Sequence, residues 1–222
     1  MAFLMENPAL VSSFASVATL IVWVTYLQLF YRTYRHQLVP KVMIARAGGQ
    51  SLSAQCMLTN LSPEFVYIQA IIVRLRIGDE TVECSLSDRE AGLREGVDPR
   101  SEFLQGPLAS GEYLRLRSFE DMARGSLREN GMEERIGDLD ELAVTAVGTY
   151  TWNNQTMAAE RVYQVRRRDG RSDLVAEGLM ARQIRSRREL KRLVRFLEER
   201  SCRVLSPQPS ENRLGNGAGT AT

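Results

Sequence analysis

One histidine, His36, and three scattered cysteines, Cys56, Cys84 and Cys202, are all that this chain of 222 residues offers of the side chains that most often hold metals or act as nucleophiles. A Ser-His-Asp or Cys-His arrangement needs its histidine beside the nucleophile, and His36 stands at the end of an apolar run between Arg35 and Gln37. Three cysteines without a CxxC make neither a disulfide framework nor a zinc site. No GxSxG, Walker A loop or HExxH occurs, so the common hydrolase, nucleotide and metalloprotease signatures are missing. The "GNGAG" at 215–219 has no strand pattern before it and no helix pattern after it, which empties it of meaning as a phosphate loop. These absences point away from catalysis, metal and bound cofactor. The enzyme alternative that survives them is a mechanism built on Asp and Glu alone.

Charge is missing too, but only locally. Between Glu6 and Arg32 lie 25 residues with no ionisable acid or base, a helix of ~37 Å if continuous. A hydrocarbon core of about 30 Å is within its reach. Signal peptides put positive charge before a shorter apolar core. Here the order is reversed: Arg32, Arg35 and Lys41 follow the run, and Glu6 alone precedes it. Basic flanks stay in the cytoplasm, so one span with an outward N-terminus and a cytoplasmic remainder, in a bacterial inner membrane, is expected. Asn7 suits the cap, Pro8 the first turn, and Pro40 the stop, which predicts a helix ending near residue 38. Trp23, Tyr26, Tyr31 and Tyr34 gather in its second half, where amphipathic rings favour headgroups. Ser12, Ala15, Ser16 and Thr19 repeat at spacings of three and four, a small-residue face on which a second copy or a partner helix would pack.

Past residue 40 the periodicity changes to alternation. "LSAQCML" and "TVECSL" read as half-buried strands, with Cys56 and Cys84 on their inward positions. "EFVYIQAIIVRLRI" is β-branched and aromatic, too apolar on both faces at its start for an edge strand. "PKVMIAR" and "SGEYLRLRSF" are further strands. "SFEDMARGSLRENG" has a serine cap, acids in its first turn and Gly131 past its end, which predicts a short helix. "ELAVTAVGTYTW" and "MAAERVYQVRR" form a last pair across Asn153-Asn154. About seven strands with one helical insertion predict a mainly β fold, an immunoglobulin-like antiparallel β-sandwich. In a reducing compartment its cysteines are expected to be free, behaving as small hydrophobes.

The outward N-terminus, single span, "YRTYRHQLVPK", first strand, "CMLTNLSPEFVYIQAIIVRL" and the late "RQIRSRRELKRL" together resemble a group of uncharacterised proteobacterial single-pass membrane proteins. The resemblance covers most of the chain and implies the layout of span and cytoplasmic immunoglobulin-like domain. It carries no activity.

The net charge of +2 conceals segregation. Residues 79–142 hold 17 acids and 8 arginines, whereas 161–203 hold 14 basic residues and 6 acids. In "RQIRSRRELKRLVRFLEER", Leu190, Leu193, Val194 and Leu197 form one stripe, with Arg185, Arg188, Arg192 and Arg195 opposite. Such a helix docks on its own domain, lies on anionic lipid, or pairs with another helix. Nucleic acid is disfavoured because no aromatic-interleaved platform accompanies the cations. From Ser206 onward the chain is polar and is expected to be disordered. The organisation read from sequence is therefore 1–38 span and flank, 39–170 β-sandwich, 171–203 basic amphipathic helix, and 204–222 tail. The function it suggests is non-enzymatic interaction or scaffolding at the cytoplasmic membrane face, with an unknown protein partner. The alternative is an accessory subunit of a membrane complex, held through the transmembrane helix.

Overall fold

A computed structural model describes residues 8–37, 40–86, 104–151, 154–168, 170–199 and 203–205. The chain is mainly β. It opens with α1 (Pro8–Gln37), whose first and last residues agree with Pro8 as a helix starter and Pro40 as a stop.

Six strands and one helix follow: β1 (Val42–Ala47), β2 (Gln55–Asn60), β3 (Val66–Ile77), β4 (Glu80–Ser85), β5 (Gly106–Leu108), β6 (Tyr113–Ser118) and α2 (Phe119–Glu129). Ser118 caps α2, its hydroxyl accepting from the Asp121 amide at 3.0 Å. At the other end the amides of Gly131 and Met132 donate to the carbonyls of Arg128 and Leu127, and Gly131 takes φ +68°. This double return closes the helix with glycine in the left-handed region. A 3-10 turn (Glu133–Asp138) leads into β7 (Glu141–Tyr150) and β8 (Gln155–Arg168). Asn154 has φ +51°, the left-handed conformation expected of the asparagine pair there.

The predicted helix over 171–203 is shorter than expected. Residues 171–186 contribute β9 (Arg171–Ala176) and β10 (Arg182–Ile184), both paired with β8, and helix α3 spans only Arg187–Glu198. Strand β11 (Arg203–Leu205) then pairs with β4. The rest of the expected tail lies outside the described residues.

Among the described residues every ladder is antiparallel, in two sheets: β1-β2-β6, and β10-β8-β7-β3-β4-β11 with β5 added to β3 and β9 to β8. Alternation decides what each strand buries. Ile44, Leu58, Leu114 and Leu116 of the small sheet share one core with Ile68, Ile71, Val73, Leu75, Leu142 and Val144 of the large one. Phe119, Met122 and Leu127 of α2 join that core. A β-bulge between Ile68 and Ala70 reverses the facing of β3. Its doubly buried stretch is thus Ala70–Val73, while Phe65 and Tyr67 at its start are exposed.

One flank of the two-sheet stack is closed by side chains. The Arg161 guanidinium on β8 donates to the Ile44 carbonyl at 3.0 Å, Arg46 donates to the Leu174 carbonyl, and Gln183 holds both the amide and the carbonyl of Val42.

The buried phenol of Tyr163 packs edge-on to Phe119 with ring centroids 4.8 Å apart, and its hydroxyl has no partner among the described residues. Removing that unmet hydroxyl should raise stability, so Tyr163→Phe is expected to gain about 1 kcal/mol in denaturant unfolding. Burial pushes the Tyr163 phenol above its ordinary value, and burial does the same to the wholly buried Cys56 thiol. A folded acid with a raised pKa contributes stability that is complete below its unfolded pKa and declines as pH rises beyond it. Stability should therefore fall above the thiol's ordinary 9.0, and less steeply in Tyr163→Phe.

Candidate functional site

Two surfaces carry the residues singled out from sequence, and the first is α1. Its stretch Ser12–Arg32, 21 residues, is long and apolar enough to cross a membrane, and none of it is buried in the fold. A signal sequence meets the same criterion, whereas the core helix of a soluble domain would be covered. Ser12, Ala15, Ser16 and Thr19 are exposed. The Ser16 hydroxyl donates to the Ser12 carbonyl at 2.9 Å and Thr19 to Ala15 at 2.8 Å. These hydroxyls are satisfied within their own helix, so the face is small and polar-neutral. Large apolar side chains of the same helix are exposed as well, among them Phe14, Leu20, Trp23, Leu27 and Phe30.

The second surface is the basic helix. α3 seats Leu193 and Phe196, with Leu190 and Leu197 at the margin, on Ile72, Val147, Ala158 and Ile184 of the large sheet's outer face. The sequence stripe named Val194 in place of Phe196. The i, i+3 step from Leu193 would have found Phe196, had its ring been given to the core. Arg185, Arg188, Arg192 and Arg195 are all exposed, and among the described residues none makes an ion pair.

A carboxylate pins this helix. Glu160, nearly buried, accepts from Arg74 at 2.9 Å and from Arg182 at 2.8 and 3.2 Å, and Arg182 reaches Glu189 of α3 at 3.1 Å. Hydrogen bonding to Glu160 holds the Arg182 guanidinium above its ordinary value. Glu160→Ala leaves two arginines without their shared acceptor. Their side chains are 30% and 58% exposed and can turn to water. The expected loss is therefore about 2 kcal/mol, below that of a fully buried pair. Denaturant midpoints and faster hydrogen exchange over Leu193–Leu197 would check it.

Among the described residues the acidic block pairs with its own arginines, as in Arg128–Glu133 at 2.7 Å and Arg124–Glu120 at 3.0 Å. Arg167–Asp140, at 3.9 Å, joins the two blocks. Glu133 is held below its ordinary value by the Arg128 hydrogen bond.

The thiol expectation divides. Cys56 is free and buried, as expected. Cys84 is in a disulfide, and its partner lies outside the described residues. The pairing of β11 with β4, Arg203 opposite Glu83, brings residues 203–205 to this strand, which the sequence reading did not foresee. Among the described residues no cluster of His, Cys, Asp or Glu could hold a metal ion. The side chain of His36 lies outside the described residues. No protein-family model, curated protein or solved structure matches this chain.

Proposed function

We propose that the chain is a membrane-anchored interaction or scaffold protein, held by α1 and presenting its β domain at the cytoplasmic face of a bacterial inner membrane. The observation that carries this reading is the bare apolar length of Ser12–Arg32. An exposed surface of that kind needs lipid or a partner helix around it. The basic flank of Arg32, Arg35 and Lys41 supports the cytoplasmic side. Two antiparallel sheets, one ordered β1-β2-β6 and one containing β8-β7-β3-β4, support the reading of the domain as an immunoglobulin-like sandwich. Docking through the Ser12–Thr19 face onto a membrane complex is the same function with a helix as its contact.

One observation favours the opposite side. Disulfides persist in oxidising compartments, and Cys84 is in one. A pair of reporters fused after Thr222 separates the two readings, one active only in the cytoplasm and one only outside it. Cytoplasmic activity is expected, whereas activity outside would overturn the placement. Purification in mild detergent tests the function itself. Discrete protein partners support it, and a lone monomer counts against it.

A further inference from the structure

The domain's end nearest α1 is unusual in what it exposes. Five residue steps separate Gln37 from Val42, a reach of at most about 18 Å. Lys41, in that link, is clamped to the β2–β3 loop: its amide donates to the Ser62 hydroxyl at 2.8 Å, and its carbonyl accepts from the Leu61 amide at 2.8 Å. Asn60 fixes the loop from beneath, accepting from the Ser62 amide and donating to the Glu64 and Leu108 carbonyls, all at 2.8 to 2.9 Å.

On this immobilised end Leu61 is 45% exposed, Phe65 53%, Tyr67 43% and Tyr113 51%. Antiparallel register gathers them: Thr59 pairs with Tyr113, Val66 with Tyr150, and Tyr150 with Gln155. Cations collect at the same end. Strand β10 runs from Arg182, opposite Glu160, to Ile184, opposite Ala158, and so points toward Gln155. Gln183 of β10 bonds the Val42 backbone, next to exposed Lys41, and exposed Arg185 and Arg188 follow β10 in the direction of this end. Arg195 stands about 10 Å further along α3.

Aromatic rings with cations beside them are the composition that suits an anionic headgroup layer. The tether forbids this end from leaving that layer's vicinity. We infer that the domain sits down on the bilayer through Leu61, Phe65, Tyr67 and Tyr113, with Lys41, Arg185 and Arg188 against anionic lipid headgroups. This rests on α1 spanning the membrane. Of the four arginines singled out from sequence, Arg185 and Arg188 would then contact lipid, and Arg195 would not.

The test uses the full chain in vesicles of phosphatidylglycerol and phosphatidylcholine whose acyl chains are brominated, reading tryptophan quenching. With Trp152→Phe, Trp23 reports the span. With both native tryptophans replaced by phenylalanine, Phe65→Trp or Tyr67→Trp reports docking, and Val175→Trp, on the exposed side of β9, is the control. Quenching of the first two probes about twofold or more above the control is expected. The triple change Lys41→Glu, Arg185→Glu, Arg188→Glu should reduce it. If Trp23 is quenched while the docking probes match Val175→Trp, the docking is wrong and the anchor stands. An unquenched Trp23 overturns the anchor, and docking with it. Quenching that charge reversal leaves unchanged overturns the role given to the cations.

Discussion

Asn60→Asp is expected to destabilise the domain by about 4 kcal/mol, the scale for an unpaired charge placed in an interior. Asn60 is fully buried. Its amide nitrogen donates to the carbonyls of Glu64 and Leu108, so an aspartate there would face two carbonyl oxygens with a third, negatively charged one. The acceptor half of the side chain would survive, because the Ser62 amide would still find an oxygen. Asn60→Ala loses all three bonds but adds no charge, and should cost about 2 kcal/mol. Denaturant unfolding should therefore rank wild type above alanine and alanine above aspartate. Equal losses would mean that the amide nitrogen is not turned toward those carbonyls. Because this residue holds the loop that clamps Lys41, both variants should also loosen amide exchange over residues 61–65, ahead of any change in α3.

How far the fold could be read in advance depended on which signal each element carries. β2, β4 and β6 announce themselves by alternation, β7 and β8 as apolar runs on either side of an asparagine pair, and α2 by Ser118 and Gly131, because a buried face, a tight turn and an unsatisfied helix end leave marks in neighbouring residues. β9 carries a different mark that went unread. Arg168 pairs with Arg171 across Asp169-Gly170, and Gly170 adopts φ +75°. An Asp-Gly pair between two strand-like runs is a strong hairpin signal, masked here by arginines that suggest a solvated helix. β5, β10 and β11 have three residues each. Segments so short are defined by the neighbour they pair with, and nothing within them states it. The same holds for the surfaces. The exposed apolar helix and the arginines of α3 are visible in composition, but the gathering of Leu61, Phe65, Tyr67 and Tyr113 beside the tether exists only through register.

Gly148→Ala tests the densest of these register-made contacts and should cost about 3 kcal/mol. Gly148 lies within β7 and opposite Ile68, next to the bulge in β3. A methyl group there would stand 2.5 Å from the Tyr67 carbonyl oxygen, 3.3 Å from its carbon and 3.4 Å from the Ile68 Cα. All three are backbone atoms of a central strand bonded on both sides, so relief requires β3 itself to move. Nothing about the torsions at Gly148 demands glycine, since its φ lies outside the left-handed region. The penalty is steric alone, and Gly137→Ala supplies the control. Gly137 too has an ordinary φ, but a methyl group would meet nothing within 4 Å. That variant should be neutral or gain up to about 0.5 kcal/mol, through the smaller entropy of the unfolded chain. If unfolding midpoints instead put the two alanine variants level, the bulge does not bring β3 as close to β7 as the register requires. The exposed ring of Tyr67, carried by the same peptide, would then lose the fixed position at the domain's end on which contact with lipid depends.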